Sequence, residues 1–153
     1  MKMELQEKII IGVITTFISS AISTLVGLCI AKFNAKNTEQ RALDSLLIQI
    51  NTLNMQYPYL ENAKFIENYK MKKSKEEEYS RYDSYCTIIF NFLERLFLLY
   101  DFNEAKVKKF VHFQELIELH SGWWTHSDNY LENIKGYDPK FVEIVSKFLS
   151  TKS

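Results

Sequence analysis

Histidine, cysteine, tryptophan and lysine offer the widest chemical scope in this sequence, and their spacing decides what they can do. His112 and Glu115 fall on one helix face, but no second pair supplies the two-histidine, one-glutamate spacing that closes round zinc. No metal site is expected. Cys86 has no sequence companion of the kind that activates a nucleophile, and it falls on an apolar face, so it reads as core. Gly122 and Gly136 stand alone, which leaves no glycine-rich loop to cradle a phosphate. No catalytic residue is assigned, no cofactor is expected, and the chain is not expected to be an enzyme.

The densest polar and aromatic run is His120-Ser121-Gly122-Trp123-Trp124-Thr125-His126. Neighbouring residues on a turn point apart, so one tryptophan is expected to pack inward while the other stays open. An open ring could stack on a nucleobase for about 1 to 3 kcal/mol, with His126 as a nearby donor. The competing reading has both rings closing a helical bundle. Upstream, Lys70, Lys72 and Lys73 crowd together ahead of Glu76, Glu77 and Glu78, with Arg81 one turn further on. They form either a solvated stretch or a phosphate-facing cluster.

Helices are expected to position these groups. Tyr82, Cys86, Ile89, Phe90, Leu93, Leu96, Phe97 and Tyr100 recur at helical spacing and imply a helix over about residues 77–100. Glu94 borders that stripe as a structural partner. Asp101 and Glu104 have the spacing of a capping box for a helix over about 102–120, with Val107, Phe110 and Phe113 facing the core. Gly122 is expected to stop that helix in the left-handed conformation. A short helix over about 127–134 follows, and Asp138-Pro139 opens the last one as cap and first turn.

The remaining totals agree with an all-α fold. The chain holds 11 Phe, 9 Tyr and 2 Trp but only 4 Gly and 2 Pro, too little punctuation for a turn-rich β architecture. Lys+Arg and Asp+Glu both number 19, and that balance argues against binding DNA or long RNA. Two cysteines cannot form a disulfide framework, which favours a reducing compartment for whatever lies outside the membrane.

Residues 9–31 carry no ionisable group except the thiol of Cys29, and Lys8 and Lys32 bracket them. About 23 residues make roughly 35 Å of helix, enough to cross a bilayer core of about 30 Å. A cleaved signal peptide would have an apolar region of about 7 to 15 residues, so a single-pass anchor in a lipid bilayer is expected. Lys32, Lys36 and Arg41 outnumber Lys2 and Lys8, placing the C-terminal side in the cytoplasm. Gly12, Thr16, Ser19, Ser23 and Gly27 form one small-residue stripe, suited to close helix association or simply tolerated in lipid. Beyond the span, Leu43, Leu46, Leu47, Ile50 and Leu53 make an apolar seam, either a short coiled-coil stalk or a stripe packed on its own domain. Pro58 should end that helix near Gln56.

This order of parts resembles small single-pass membrane effectors of bacterial anti-phage defence. It is most similar to the accessory effectors of type III CRISPR systems that bind cyclic oligoadenylate. The stripe from Gly12 to Gly27, the block from Tyr85-Cys86 through Asn91, Glu94 and Arg95, and Trp123-Trp124 carry the likeness. The resemblance implies a homo-oligomer in the bacterial inner membrane whose cytoplasmic domain binds a cyclic nucleotide and perturbs the bilayer. Lys70, Lys72, Lys73, Arg81, Trp123, Trp124 and His126 are then the candidate ligand contacts, and Gly12, Thr16, Ser19, Ser23 and Gly27 the oligomer face. The alternative is a membrane-tethered protein-interaction module with no small ligand. Under either reading the chain divides into an anchor (1–33), a helical stalk (34–60) and a compact helical-bundle soluble domain (61–153).

Overall fold

The computed structural model describes residues 2–69 and 77–150, with side chains from Thr16 onward except 127–129. Every regular element among the described residues is helical: α1 (Lys2–Gln56), a 3-10 turn (Pro58–Glu61), α2 (Ala63–Tyr69), α3 (Glu77–Leu99), α4 (Glu104–Val107), α5 (Phe113–Leu119), α6 (Ser121–Trp124), α7 (Ser127–Gly136) and α8 (Pro139–Ser150). Two units are present, Met1–Glu39 and Gln40–Ser153.

The first unit is the early part of α1. Among the described helices it is the one long and apolar enough to cross a membrane. Phe17, Ile18, Ile22, Leu25, Val26, Leu28, Ile30 and Phe33 are all more than half exposed. A soluble protein rarely leaves so continuous an apolar surface uncovered. Polar groups in this stretch satisfy themselves, as the Thr24 hydroxyl does by donating to the Ser20 carbonyl at 2.9 Å. Lipid demands such self-sufficiency, because it offers no partner of its own. A Cβ added at Gly27 would meet nothing within 4 Å, so the small-residue stripe is open at that position. The surroundings of Gly12 lie outside the described residues.

The second unit is a bundle built round α3. Leu43 and Ile50 of α1 are buried in its core, with Leu46, Leu47 and Leu53 packed beside them. Of the two roles open to that seam, packing on the domain is the one observed. Helix α1 stops at Gln56 because Pro58 follows, and Tyr57 leaves the helical region at φ −132° and ψ 71°. The Asn62 side chain then accepts from the Lys64 and Phe65 amides at 3.0 and 3.3 Å, capping α2. Helix α3 buries Tyr79, Tyr82, Tyr85, Cys86, Ile89, Phe90, Phe92, Leu93, Leu96 and Phe97. So wide an apolar face needs neighbours on several sides, and the short helices α4 to α8 supply them.

Three local expectations are corrected. Asp101 does not open the next helix but closes α3. It takes φ 50°, and the amides of Phe102 and Asp101 reach back to the carbonyls of Phe97 and Leu98 at 2.8 and 3.3 Å. That is a Schellman closure with aspartate in the left-handed position that glycine usually holds. Asn103 is the cap of α4 instead, accepting from the Lys106 amide at 3.0 Å. The helix expected over 102–120 is also two helices, parted by a turn at residues 108–112, and this leaves Phe110 47% exposed and stacked on Tyr100. Gly122, finally, does not stop a helix. It is buried inside α6, and no described glycine has a positive φ. The expected ends of α3 and α8 hold, with Asp138 accepting from the Lys140 amide at 2.8 Å to cap the last helix.

Candidate functional site

Helix α3 carries the polar groups that tie the domain together. Glu61 accepts from the Tyr85 hydroxyl and from the Asn54 amide, each at 2.7 Å. Glu94 accepts from the Asp138 backbone amide at 2.6 Å, which pins the start of α8. Asp83 joins three helices: one of its carboxylate oxygens accepts from the Tyr69 hydroxyl and, at 3.1 Å, from the Trp123 indole nitrogen.

Beside Asp83 lies an open cleft of about 340 Å³ lined by Asp83, Thr87, Trp123, Glu132, Asn133 and Tyr137. Asn133 is 5% exposed, and its amide nitrogen donates to the Trp124 carbonyl at 3.1 Å. The Thr87 hydroxyl donates to the Asp83 carbonyl at 2.9 Å. No described lysine or arginine pairs with Asp83 or Glu132. A wider groove of about 700 Å³ runs between α2 and α5, with Glu67, Glu115 and Glu118 over an apolar floor of Ile66 and Leu119. Both openings are therefore acidic in character.

The candidate residues from the sequence divide as follows. Lys70, Lys72 and Lys73 lie outside the described residues. Arg81 donates to the Tyr59 hydroxyl at 2.7 Å and pairs with Glu77, while its guanidinium sits 4.1 Å from the Tyr57 ring centroid. It clamps the turn after α1 onto α3. His126 is half-buried, 5.9 Å from the Tyr69 ring. Both tryptophans are buried, which is the reading in which both rings close the bundle and not the one in which a ring stays open: Trp123 is 5% and Trp124 1% exposed. The single turn of α6 lies against α3, so both indoles reach the same ring, Phe90. Trp123 stacks on Phe90, while Trp124 packs against Phe90, Tyr137 and Phe141. Of the described candidates, Trp123 alone lines the cleft. Asp83, Glu132 and Tyr137 were not singled out from the sequence. The one available signal was a carboxylate enclosed by tyrosines in the run Tyr82-Asp83-Ser84-Tyr85.

A sealed polar trio sits behind the cleft. The Tyr82 hydroxyl is 2.9 Å and the Cys86 thiol 3.7 Å from His120 Nδ1. Burial drives the Tyr82 hydroxyl and the Cys86 thiol well above their ordinary values, so the thiol keeps its proton and is no nucleophile at neutral pH. No group of three His, Cys, Asp or Glu side chains gathers among the described residues as a metal site would need.

His120 itself is fully buried, and its Nε2 has no partner. Burial pulls its pKa down to about 4 from 6.5. As pH falls, the unfolded chain protonates this imidazole near 6.5, whereas the folded chain resists until about 4. Between those values the unfolded state binds more protons, so stability drops with pH by up to about 3 kcal/mol. His120→Gln is expected to flatten that slope in unfolding of the full chain from about pH 7 to about pH 4.5. An unchanged slope would contradict this assignment.

No protein-family model matches this chain, and neither does any curated protein or solved structure.

Proposed function

We propose that the chain is a membrane-tethered recognition module, held in a bilayer by the early part of α1, whose helical domain captures another molecule without transforming it. The observation that carries this reading is the uncovered apolar surface of α1 from Phe17 to Phe33 in a chain that also builds a closed core from Leu43 onward. Water does not tolerate the first, and the second needs no lipid. The polar groups of the domain serve as caps, clamps and buried pairs, and the cleft beside Asp83 is the opening that combines aromatic walls with fixed polar groups. The lysine and arginine balance round the span supports a cytoplasmic domain, and the likeness to anti-phage effectors supports a bacterial inner membrane. The stripe through Thr16, Ser19, Ser23 and Gly27 supports association of α1 with copies of itself.

A photo-crosslinking residue at Tyr130, 43% exposed on α7, tests the reading in intact membranes. One discrete adduct that disappears on Trp123→Leu is expected. Adducts with lipid alone would contradict it.

A second reading, the cyclic-oligoadenylate sensor, draws support from Lys106 in α4 and from Lys108 and Lys109 in the exposed turn after it, where Phe110 stacks on Tyr100 at 5.0 Å. Lysines beside an open ring suit a phosphate and its base. This reading requires the full chain to bind cyclic oligoadenylate at concentrations on the order of tens of micromolar, and Lys108→Glu with Lys109→Glu to abolish that binding.

A further inference from the structure

We infer that the cleft beside Asp83 binds an alkylammonium group, either a lysine side chain of a partner or a free aliphatic amine. This rests on the reading of the domain as a recognition module and names the chemistry of its ligand.

Hydrogen-bonding capacity decides what the cleft can hold. Thr87 has already used its proton on the Asp83 carbonyl, so its oxygen faces outward as an acceptor. Asn133 gives one of its two amide hydrogens to the Trp124 carbonyl, which leaves the second N–H and the amide oxygen with capacity to spare. Asp83 and Glu132 accept only. The Tyr137 hydroxyl and the second Asn133 amide hydrogen are the donors left, against two carboxylates, the Thr87 oxygen and the Asn133 oxygen as acceptors. A cleft so rich in acceptors fits a ligand made of donors, and a primary ammonium has three donors and no acceptor. A phosphate, being all acceptor, meets the opposite of what it needs.

Charge and shape point the same way. Both hydrogen bonds that Asp83 accepts come from neutral donors, the Tyr69 hydroxyl and the Trp123 indole, so its negative charge is oriented but not neutralised. Glu132 adds a second carboxylate from α7, with no described cation opposite either one. Trp123, backed by Phe90, and Tyr137 give the methylene stem apolar walls and the cation aromatic rings to approach. A volume of about 340 Å³ accommodates a lysine side chain or a short diamine.

The test uses the full chain in lipid nanodiscs and reads the fluorescence of its two tryptophans, both near the cleft. Cadaverine represents the free amine and end-blocked lysine the protein side chain, with end-blocked norleucine as the neutral isostere. A saturable response to the two ammonium probes but not to norleucine is expected. Glu132→Gln, a change at an exposed position, should weaken binding about tenfold, the size of one charged hydrogen bond, and Asp83→Asn at least as much. Tighter binding of cadaverine assigns the site to a small amine, and tighter binding of lysine assigns it to a partner protein. No saturation with either ammonium probe, an equal response to norleucine, or unaltered affinity in Glu132→Gln overturns the site. The two failures are separable: a crosslinked adduct at Tyr130 without amine binding removes the ammonium chemistry and leaves the recognition module standing, whereas finding neither an adduct nor amine binding removes both.

Discussion

Trp124→Ala is expected to destabilise the domain by about 3 to 5 kcal/mol, the usual range for deleting a large buried aromatic side chain. The ring is 1% exposed and fills the space between Phe90 of α3, Tyr137 and Phe141 of α8. Removing it opens a cavity that those rings cannot close together, because they are held on different elements. Domains of this size are generally stable by about 5 to 15 kcal/mol, so the loss is a large fraction of the total. Urea unfolding of the full chain in nanodiscs, followed by circular dichroism and by the one remaining tryptophan, measures it. Phe110→Ala provides the contrast: the ring is 47% exposed, and its removal should shift stability by less than about 1 kcal/mol. Equal losses from the two changes would mean that the packing of Trp124 against Phe90, Tyr137 and Phe141 does not hold the domain together.

The second large effect lies in the apolar helix. Ile18→Lys combined with Ile22→Lys places two ammonium groups near the middle of the apolar run, at side chains 55% and 56% exposed in the chain itself. A lysine at the centre of a membrane helix costs about 2.5 to 3.5 kcal/mol, so the pair should oppose insertion by about 6 kcal/mol. Flotation with lipid vesicles should then fall sharply for the double variant, while Ile18→Leu with Ile22→Leu floats as the parent does. The folded domain offers an internal control, because its core residues from Leu43 onward are untouched. Its tryptophan fluorescence should be unchanged in the lysine variant. Flotation of the lysine variant equal to that of the parent would contradict a bilayer-spanning role for this stretch.

The legible parts of the fold are those in which a local signal suffices. Pro58 and Pro139 punctuate α1 and α8 wherever the rest of the chain goes, and the tyrosine-to-phenylalanine periodicity of α3 survives because that helix is buried over most of its face. Asp101 was misleading because two motifs share its residue type. A capping box and a left-handed helix end both accept aspartate, and only the backbone closure from Phe102 to Phe97 decides between them. Helix α2 was hidden by charge, since Lys64 and Glu67 make a solvated stretch look structureless although Ile66 and Tyr69 are buried. The site was less legible still. Trp123 stood out by type, but its meaning depends on Asp83, Glu132 and Tyr137, which come from separate parts of the chain and meet only after packing. The tryptophan pair showed the limit of turn geometry: adjacent rings can both be buried when one ring, Phe90, serves both and Tyr137 and Phe141 close over the second.

The most direct test of the account is alkaline extraction of membranes from cells that express the unaltered full chain. Washing at high pH strips proteins held to the surface by charge and leaves those whose apolar helices lie in the hydrocarbon. The chain should remain in the membrane pellet and be released by detergent alone. Recovery in the alkaline supernatant, with the domain still folded by its tryptophan fluorescence, would mean that the exposed face of α1 from Phe17 to Phe33 is covered by something other than lipid.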